Sequence, residues 1–178
     1  MILNVPNTIT FIRLIILPFF LYEVYRGNLF NAFILFLTGS ITDFLDGFFA
    51  RLLKQKTKFG SFLDAIVDKI FLLSSILLLT YKNFLPYFFA ILILLRDFII
   101  IIGTIYFYTK GYLKELKPHI TGKILIFLEF LVVLFLICEK VFNLTFLEGG
   151  LNITIFLATI FCILSLVSYG IEFIKKGA

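Results

Sequence analysis

The sequence predicts an all-α integral membrane protein with six transmembrane helices and both termini in the cytoplasm. Three observations predict it. The 178-residue chain is 61% hydrophobic and only 15% charged, with a mean hydropathy of +1.10, more apolar surface than a soluble domain of this length can hide. Its apolar residues fall into six runs, each near the roughly 20 residues that a bilayer core requires. Its Lys and Arg residues divide unevenly between the two ends of those runs. Open strands cannot span lipid and the runs are too long for barrel strands, so helices are the remaining solution.

The runs, in order, are Thr8–Tyr25, Leu29–Leu53, Gly60–Tyr81, Phe84–Thr109, Ile120–Phe142 and Leu151–Ile174. The first carries Arg13 and Glu23 and ends without a small-residue cleavage site, so a retained helix is expected rather than a signal peptide. The second holds Asp43, Asp46, Gly47, Ala50 and Arg51, which at about 100° per residue fall within roughly 140° of one another on one stripe. The third holds Gly60, Asp64 and Asp68, spaced by four and therefore aligned on one stripe. The Leu53–Phe59 loop is short, so these two helices are expected to be antiparallel neighbours with facing stripes. The fourth contains Arg96 and Asp97 in "AILILLRDFIIIIG". The fifth begins beside His119, the only histidine, with Lys123 just after Gly122. Cys138 and Cys162 lie in the fifth and sixth runs outside any CxxC pattern, which suits inert buried thiols. The patterns "NLT" at Asn143 and "NIT" at Asn152 match a glycosylation acceptor only weakly.

Orientation follows from the basic residues. With six spans, Arg51, Lys54, Lys56, Lys58, Lys110, Lys114, Lys117, Lys175 and Lys176 lie on the side of the termini, and Arg26, Lys82 and Lys140 on the other. Nine against three puts the termini and the 51–58 loop in the cytoplasm. The net charge of +5 then suits anionic membrane lipid, and no nucleic-acid recognition motif is present.

Ionised side chains at membrane depth cost several kcal/mol unless paired, hydrated or metal-bound, so they mark function. Two carboxylates from each of two facing helices repel, and one or two divalent cations relieve that repulsion. All-oxygen ligation favours magnesium, manganese or calcium over zinc. A carboxylate-bridged pair of such ions is a common device for stabilising attacking and leaving oxygens in phosphoryl transfer. Gly47 and Gly60 let a bulky ligand approach the backbone, and Arg51 suits a bidentate phosphate contact. Two other readings exist: aspartates that pair with Arg51, Lys54 and Lys69 merely to set topology, and an acidic ion or proton pathway. Neither accounts for the two glycines at matched places.

The pattern D-x2-D-G-x2-A-R-x8-G-x3-D-x3-D, complete here as Asp43, Asp46, Gly47, Ala50, Arg51, Gly60, Asp64 and Asp68, resembles the signature of the CDP-alcohol phosphotransferases. "NVPNTITFIRLIILPFF" and "GSFLDAIVDK" resemble the phosphatidylglycerol-phosphate synthases and the related CDP-alcohol-type cardiolipin synthases. The resemblance implies one CDP-alcohol phosphatidyltransferase membrane domain over 1–178. It implies that Asp43, Asp46, Asp64 and Asp68 hold two Mg²⁺ or Mn²⁺ ions, with Asp68 also the base that takes the acceptor's hydroxyl proton. Gly47, Ala50 and Gly60 are implied to line the cytidine pocket, and Arg51 to contact the nucleotide phosphates. CDP-diacylglycerol is the implied donor, and CMP the leaving group. A homodimer in the cytoplasmic (inner) membrane, with the site facing the cytoplasm, is the implied setting.

The acceptor pocket is expected to draw on the remaining intramembrane cations, Arg13, Arg96 and Lys123, although each could instead snorkel or pair internally, Arg96 with Glu129 for instance. Glycerol-phosphate enzymes of this group usually show R-E-F and a second arginine eight residues on. Here Asp97 replaces the Glu and Thr104 stands where the second arginine would fall. "RDF" with "LKPHITGK" resembles the cardiolipin synthases. Glycerol 3-phosphate is the expected acceptor, phosphatidylglycerol the alternative.

Overall fold

A computed structural model describes residues 5–52, 58–109 and 119–177, with the side chains of 5–9, 43–52, 58–59, 61–62, 107–108 and 173–177 outside the description. Six helices follow in order: α1 Val5–Arg26, α2 Leu29–Leu52, α3 Lys58–Tyr81, α4 Tyr87–Thr109, α5 Ile120–Phe142 and α6 Phe146–Gly177. Each of the six expected runs corresponds to one helix. Among the described residues, Tyr87–Tyr106, Ile120–Phe142 and Phe146–Glu172 are long and apolar enough to cross a membrane, and the apolar part of α2, Leu29–Thr42, is shorter.

Among the described residues, three helices stop at a residue in the left-handed region. Gly27 (φ 82) ends α1, Asn83 (φ 60) ends α3 and Asn143 (φ 52) ends α5. After α1, the N–H of Gly27 donates to Val24 O (3.1 Å) and that of Asn28 to Glu23 O (3.0 Å). After α3, Asn83 N–H donates to Thr80 O and Phe84 N–H to Leu79 O, both at 2.9 Å. Both are Schellman caps, which satisfy the last carbonyls of a helix where lipid offers no donor. The asparagine of "NLT" is therefore a helix stop, and Asn152 lies inside α6.

Four starts differ from the sequence expectation: α1 begins at Val5 rather than Thr8 and α3 at Lys58 rather than Gly60, and the other two have a local cause. The fourth helix begins at Tyr87 rather than Phe84, because residues 83–84 complete the α3 cap and Pro86, lacking an N–H, suits a helix start. The sixth begins at Phe146 rather than Leu151. Glu148 N–H donates to Thr145 O at 3.2 Å to close its first turn, and Glu148 itself favours the positive helix end.

The chain forms two compact units, Met1–Phe84 with Ile137–Leu144, and Leu85–Leu136 with Thr145–Ala178. In the first, α1 packs on α2 and α3. Buried Thr10, Arg13, Leu17, Phe20 and Val24 recur every three or four residues along α1, one face of a helix. Phe20, Phe36 and Phe71 form an aromatic trio with centroids 5.4–5.9 Å apart. Gly39 admits the Phe71 ring: a Cβ there would stand 3.2 Å from it. Lipid tails are as apolar as these rings, so tight packing rather than water exclusion holds the unit together. Phe71→Ala is expected to cost about 3–5 kcal/mol, read as a lower melting temperature in detergent. An unchanged melting temperature would mean that the trio does not hold the unit.

In the second unit α4 packs on α6. Leu151, Ile155, Ala158, Cys162 and Ser165 make the inner face of α6, and the Cys162 thiol lies 3.7 Å from Leu92 O. Large apolar residues such as Phe98 and Phe156 point outward, 62% and 65% exposed, while Arg96, Asp97 and Glu129 are buried. Polar inside and apolar outside is the arrangement that suits lipid. Hydroxyls hide by donating to the carbonyl four residues back, as Thr38, Ser75 and Thr154 do at 2.6–2.7 Å.

Candidate functional site

The acidic stripe of the third helix is in place. Gly60 is buried, and Asp64 and Asp68 stand one turn apart with side chains 34% and 33% exposed. Their backbone positions follow from α3 running unbroken from Lys58, with Val67, Phe71 and Leu72 buried on its inner face. Asp43, Asp46, Gly47, Ala50 and Arg51 lie on the last three turns of α2. Their side chains fall outside the described residues, as does most of the connecting loop.

The centre of the described site is an arginine from α1. Arg13 Nη1 donates to Asp64 Oδ1 at 3.2 Å and, in a closer ion pair, to Asp68 Oδ1. The Arg13 side chain is 3% exposed. Its stem runs past Gly39, where a Cβ would come within 4.0 Å of Arg13 Cγ. Two carboxylate oxygens from consecutive turns thus meet at one nitrogen. That convergence fits a hard cation, since both donors are anionic oxygens aimed at one point. Among the described residues no group of three or more His, Cys, Asp or Glu forms a metal cluster. Asp43 and Asp46, needed for a four-carboxylate site, lie outside that set.

A second buried polar group occupies the other unit. Arg96 Nη1 donates to Asp97 Oδ1 at 2.7 Å, and Arg96 Nη2 and Nε donate to Ser165 Oγ at 2.9 and 3.3 Å. Gly122 of α5 makes room for the guanidinium, because a Cβ there would sit 3.0 Å from Arg96 Nη2. Lys123 is exposed on the next position. Thr104 donates to Ile100 O at 2.7 Å within its own helix. His119 Nε2 lies 2.6 Å from Glu172 Oε2, and its ring packs edge-on to Tyr169 at 4.8 Å.

The groove of about 460 Å³ at the α1–α2 turn, lined by Gly27, Asn28, Leu29, Phe30, Asn31, Lys140 and Val141, stands at the far end of α1 from Arg13. It contains none of the expected site residues. The Arg13 pairing, Ser165 and the role of Gly122 were not expected from sequence. Gly122 beside Lys123 was visible in it, but its partner Arg96 was not.

In the first unit a buried arginine from α1 thus pairs with two aspartates one turn apart on α3, among helices whose outer faces are apolar. The family model described as CDP-alcohol phosphatidyltransferase matches residues 3–168. A protein of Aquifex aeolicus (strain VF5) named "CDP-diacylglycerol--glycerol-3-phosphate 3-phosphatidyltransferase" is 35% identical over 175 residues, 97% of each chain. Proteins of the same name from Wigglesworthia glossinidia brevipalpis and Escherichia coli (strain K12) are 39% and 38% identical. Those matches are shorter, covering 58% and 43% of this chain and 56% and 44% of the relatives. The chain belongs to the CDP-alcohol phosphatidyltransferase family, a membrane-bound family of transferases that depends on divalent metal.

Proposed function

We propose that the chain transfers the phosphatidyl group of CDP-diacylglycerol to glycerol 3-phosphate, yielding phosphatidylglycerol phosphate and CMP. The observation that carries the reading is the convergence of Asp64 and Asp68 on one cationic point, joined to the near full-length match with the Aquifex protein of that name. Asp43, Asp46, Asp64 and Asp68 would hold two Mg²⁺ or Mn²⁺ ions, which would supply stabilisation of the negative charge that develops on the attacking and leaving oxygens. Gly47, Ala50 and Gly60 receive the cytidine, and Arg51 holds the nucleotide phosphates. Asp68 accepts the proton of the acceptor hydroxyl as that oxygen bonds to the phosphorus next to diacylglycerol. The bond from that phosphorus to the CMP oxygen breaks, and CMP leaves. The nucleotide stays polar and cytoplasmic while the acyl chains remain in lipid.

Residues 1–178 form one catalytic domain in this reading, supported by a family match that runs through both compact units. The placement in the cytoplasmic membrane, with the site and both termini on the cytoplasmic side, rests on the distribution of Lys and Arg. A homodimer is the proposed assembly, on the resemblance alone. The cardiolipin and ion-pathway alternatives draw no support from the relatives' names.

Arg13, Arg96 and Lys123 are the proposed residues for the acceptor phosphate. Charge-assisted bonds contribute roughly 1.5–3 kcal/mol each, so Arg96→Gln should raise the Michaelis constant for glycerol 3-phosphate about 10- to 100-fold. Gly122→Ala, whose new methyl pushes on Arg96 Nη2, should raise it in the same direction. The constant for CDP-diacylglycerol should stay nearly unchanged. Equal losses for both substrates would assign Arg96 and Gly122 to bundle stability instead. The reading as a whole is tested by CMP release from CDP-diacylglycerol with glycerol 3-phosphate, phosphatidylglycerol or inositol phosphate supplied in turn. Release that does not depend on glycerol 3-phosphate rejects it.

A further inference from the structure

We propose that Arg13 is a built-in counter-cation that competes with the divalent ion for Asp64 and Asp68 and so sets how tightly that ion is held. This rests on the reading of those two aspartates as metal-holding residues. Asp64 and Asp68 are four apart on α3, where like charges face each other and repel. Arg13 offsets that repulsion by giving one nitrogen to an oxygen of each. Its charge is permanent, because a guanidinium does not lose its proton in proteins. It cannot withdraw easily. Its side chain is 3% exposed, Thr10 and Leu17 are buried on either side along α1, and the stem crosses the side-chain-free surface of Gly39. The carboxylates, by contrast, are a third exposed. An ion therefore reaches the two oxygens from their open side while Arg13 holds them from the buried side. A cation of charge two and a guanidinium drawing on the same Oδ1 atoms repel each other and divide the same lone pairs. Each weakens the other's hold.

The test uses full-length protein in detergent, with Mn²⁺ affinity measured by calorimetry in the parent and in Arg13→Gln. Loss of the competing charge should tighten Mn²⁺ on the order of tenfold. It should also enlarge the rise in melting temperature that Mn²⁺ produces, because the aspartates then lack their counter-charge until the metal arrives. Unchanged or weaker Mn²⁺ binding in a folded Arg13→Gln overturns the proposal. A parent that binds no Mn²⁺ at all overturns the metal reading itself, a separate failure. A measurement on the parent does not depend on the variant folding. In ¹⁵N-arginine-labelled protein, with the signal assigned by its loss in Arg13→Lys, saturating Mg²⁺ should speed exchange of the Arg13 Nη protons about tenfold or more. Exchange that stays as slow with Mg²⁺ as without it overturns the proposal.

Discussion

Asp68→Asn is expected to lower turnover by about 10²-fold or more, the usual contribution of a positioned base. The substitution keeps the size of the side chain, and its amide oxygen still accepts from Arg13 Nη1, so the α1–α3 contact should persist and the protein should fold. What it removes is the group that, in the proposed reaction, takes the proton from the acceptor hydroxyl. Turnover should therefore fall with both substrates saturating, while the Michaelis constant for CDP-diacylglycerol changes little as long as the other carboxylates keep their metal. Asp64→Asn separates the roles. Asp64 meets the same Arg13 nitrogen but is assigned no proton transfer, so extra Mn²⁺ should recover much of its loss, whereas extra Mn²⁺ should not rescue Asp68→Asn. Near-normal steady-state CMP release by Asp68→Asn refutes the assignment.

Chelation is the second large effect. Excess EDTA should bring CMP release to background, and Mg²⁺ or Mn²⁺ should restore it, because in the proposed reaction carboxylate-held ions stabilise the oxygens of the displacement. Zn²⁺, which prefers nitrogen and sulfur donors, should restore it poorly. The fold should survive the same treatment. Arg13 already stands between Asp64 and Asp68, so those carboxylates are not left to repel each other in the absence of an ion. Circular dichroism and the melting temperature in EDTA should thus change far less than activity does. Full activity in EDTA removes the metal from the account, and unfolding in EDTA makes the ions structural.

The helices were legible because a chain this apolar has few solutions: about 20 apolar residues must cross as helix, and six such runs use nearly all of it. Their starts were less legible, because they depend on turn chemistry rather than hydropathy. Phe84 is apolar enough to join α4, yet its N–H completes the α3 cap. The sixth run was expected from Leu151, yet α6 begins at Phe146 and runs through Gly149 and Gly150. The alignment of Asp64 and Asp68 on α3 was legible from spacing, since residues four apart share a stripe wherever the helix sits. The partners of Arg13 and Arg96 were not. Arg13 meets Asp64 and Asp68 across 51 and 55 residues, and Arg96 meets Ser165 across 69. Those meetings depend on the register of one helix against another, which no local pattern encodes. Gly39 and Gly122 show the same limit. Each is explained by a ring or a guanidinium from a different helix.

The acceptor is the point on which the account is most directly decided. Purified protein, CDP-diacylglycerol and Mg²⁺ are incubated with glycerol 3-phosphate and, separately, with phosphatidylglycerol, and the lipid product is identified by mass spectrometry. The account predicts phosphatidylglycerol phosphate, with equimolar CMP, from the first mixture and no cardiolipin from the second. Cardiolipin from the second mixture, with no phosphatidylglycerol phosphate from the first, contradicts it.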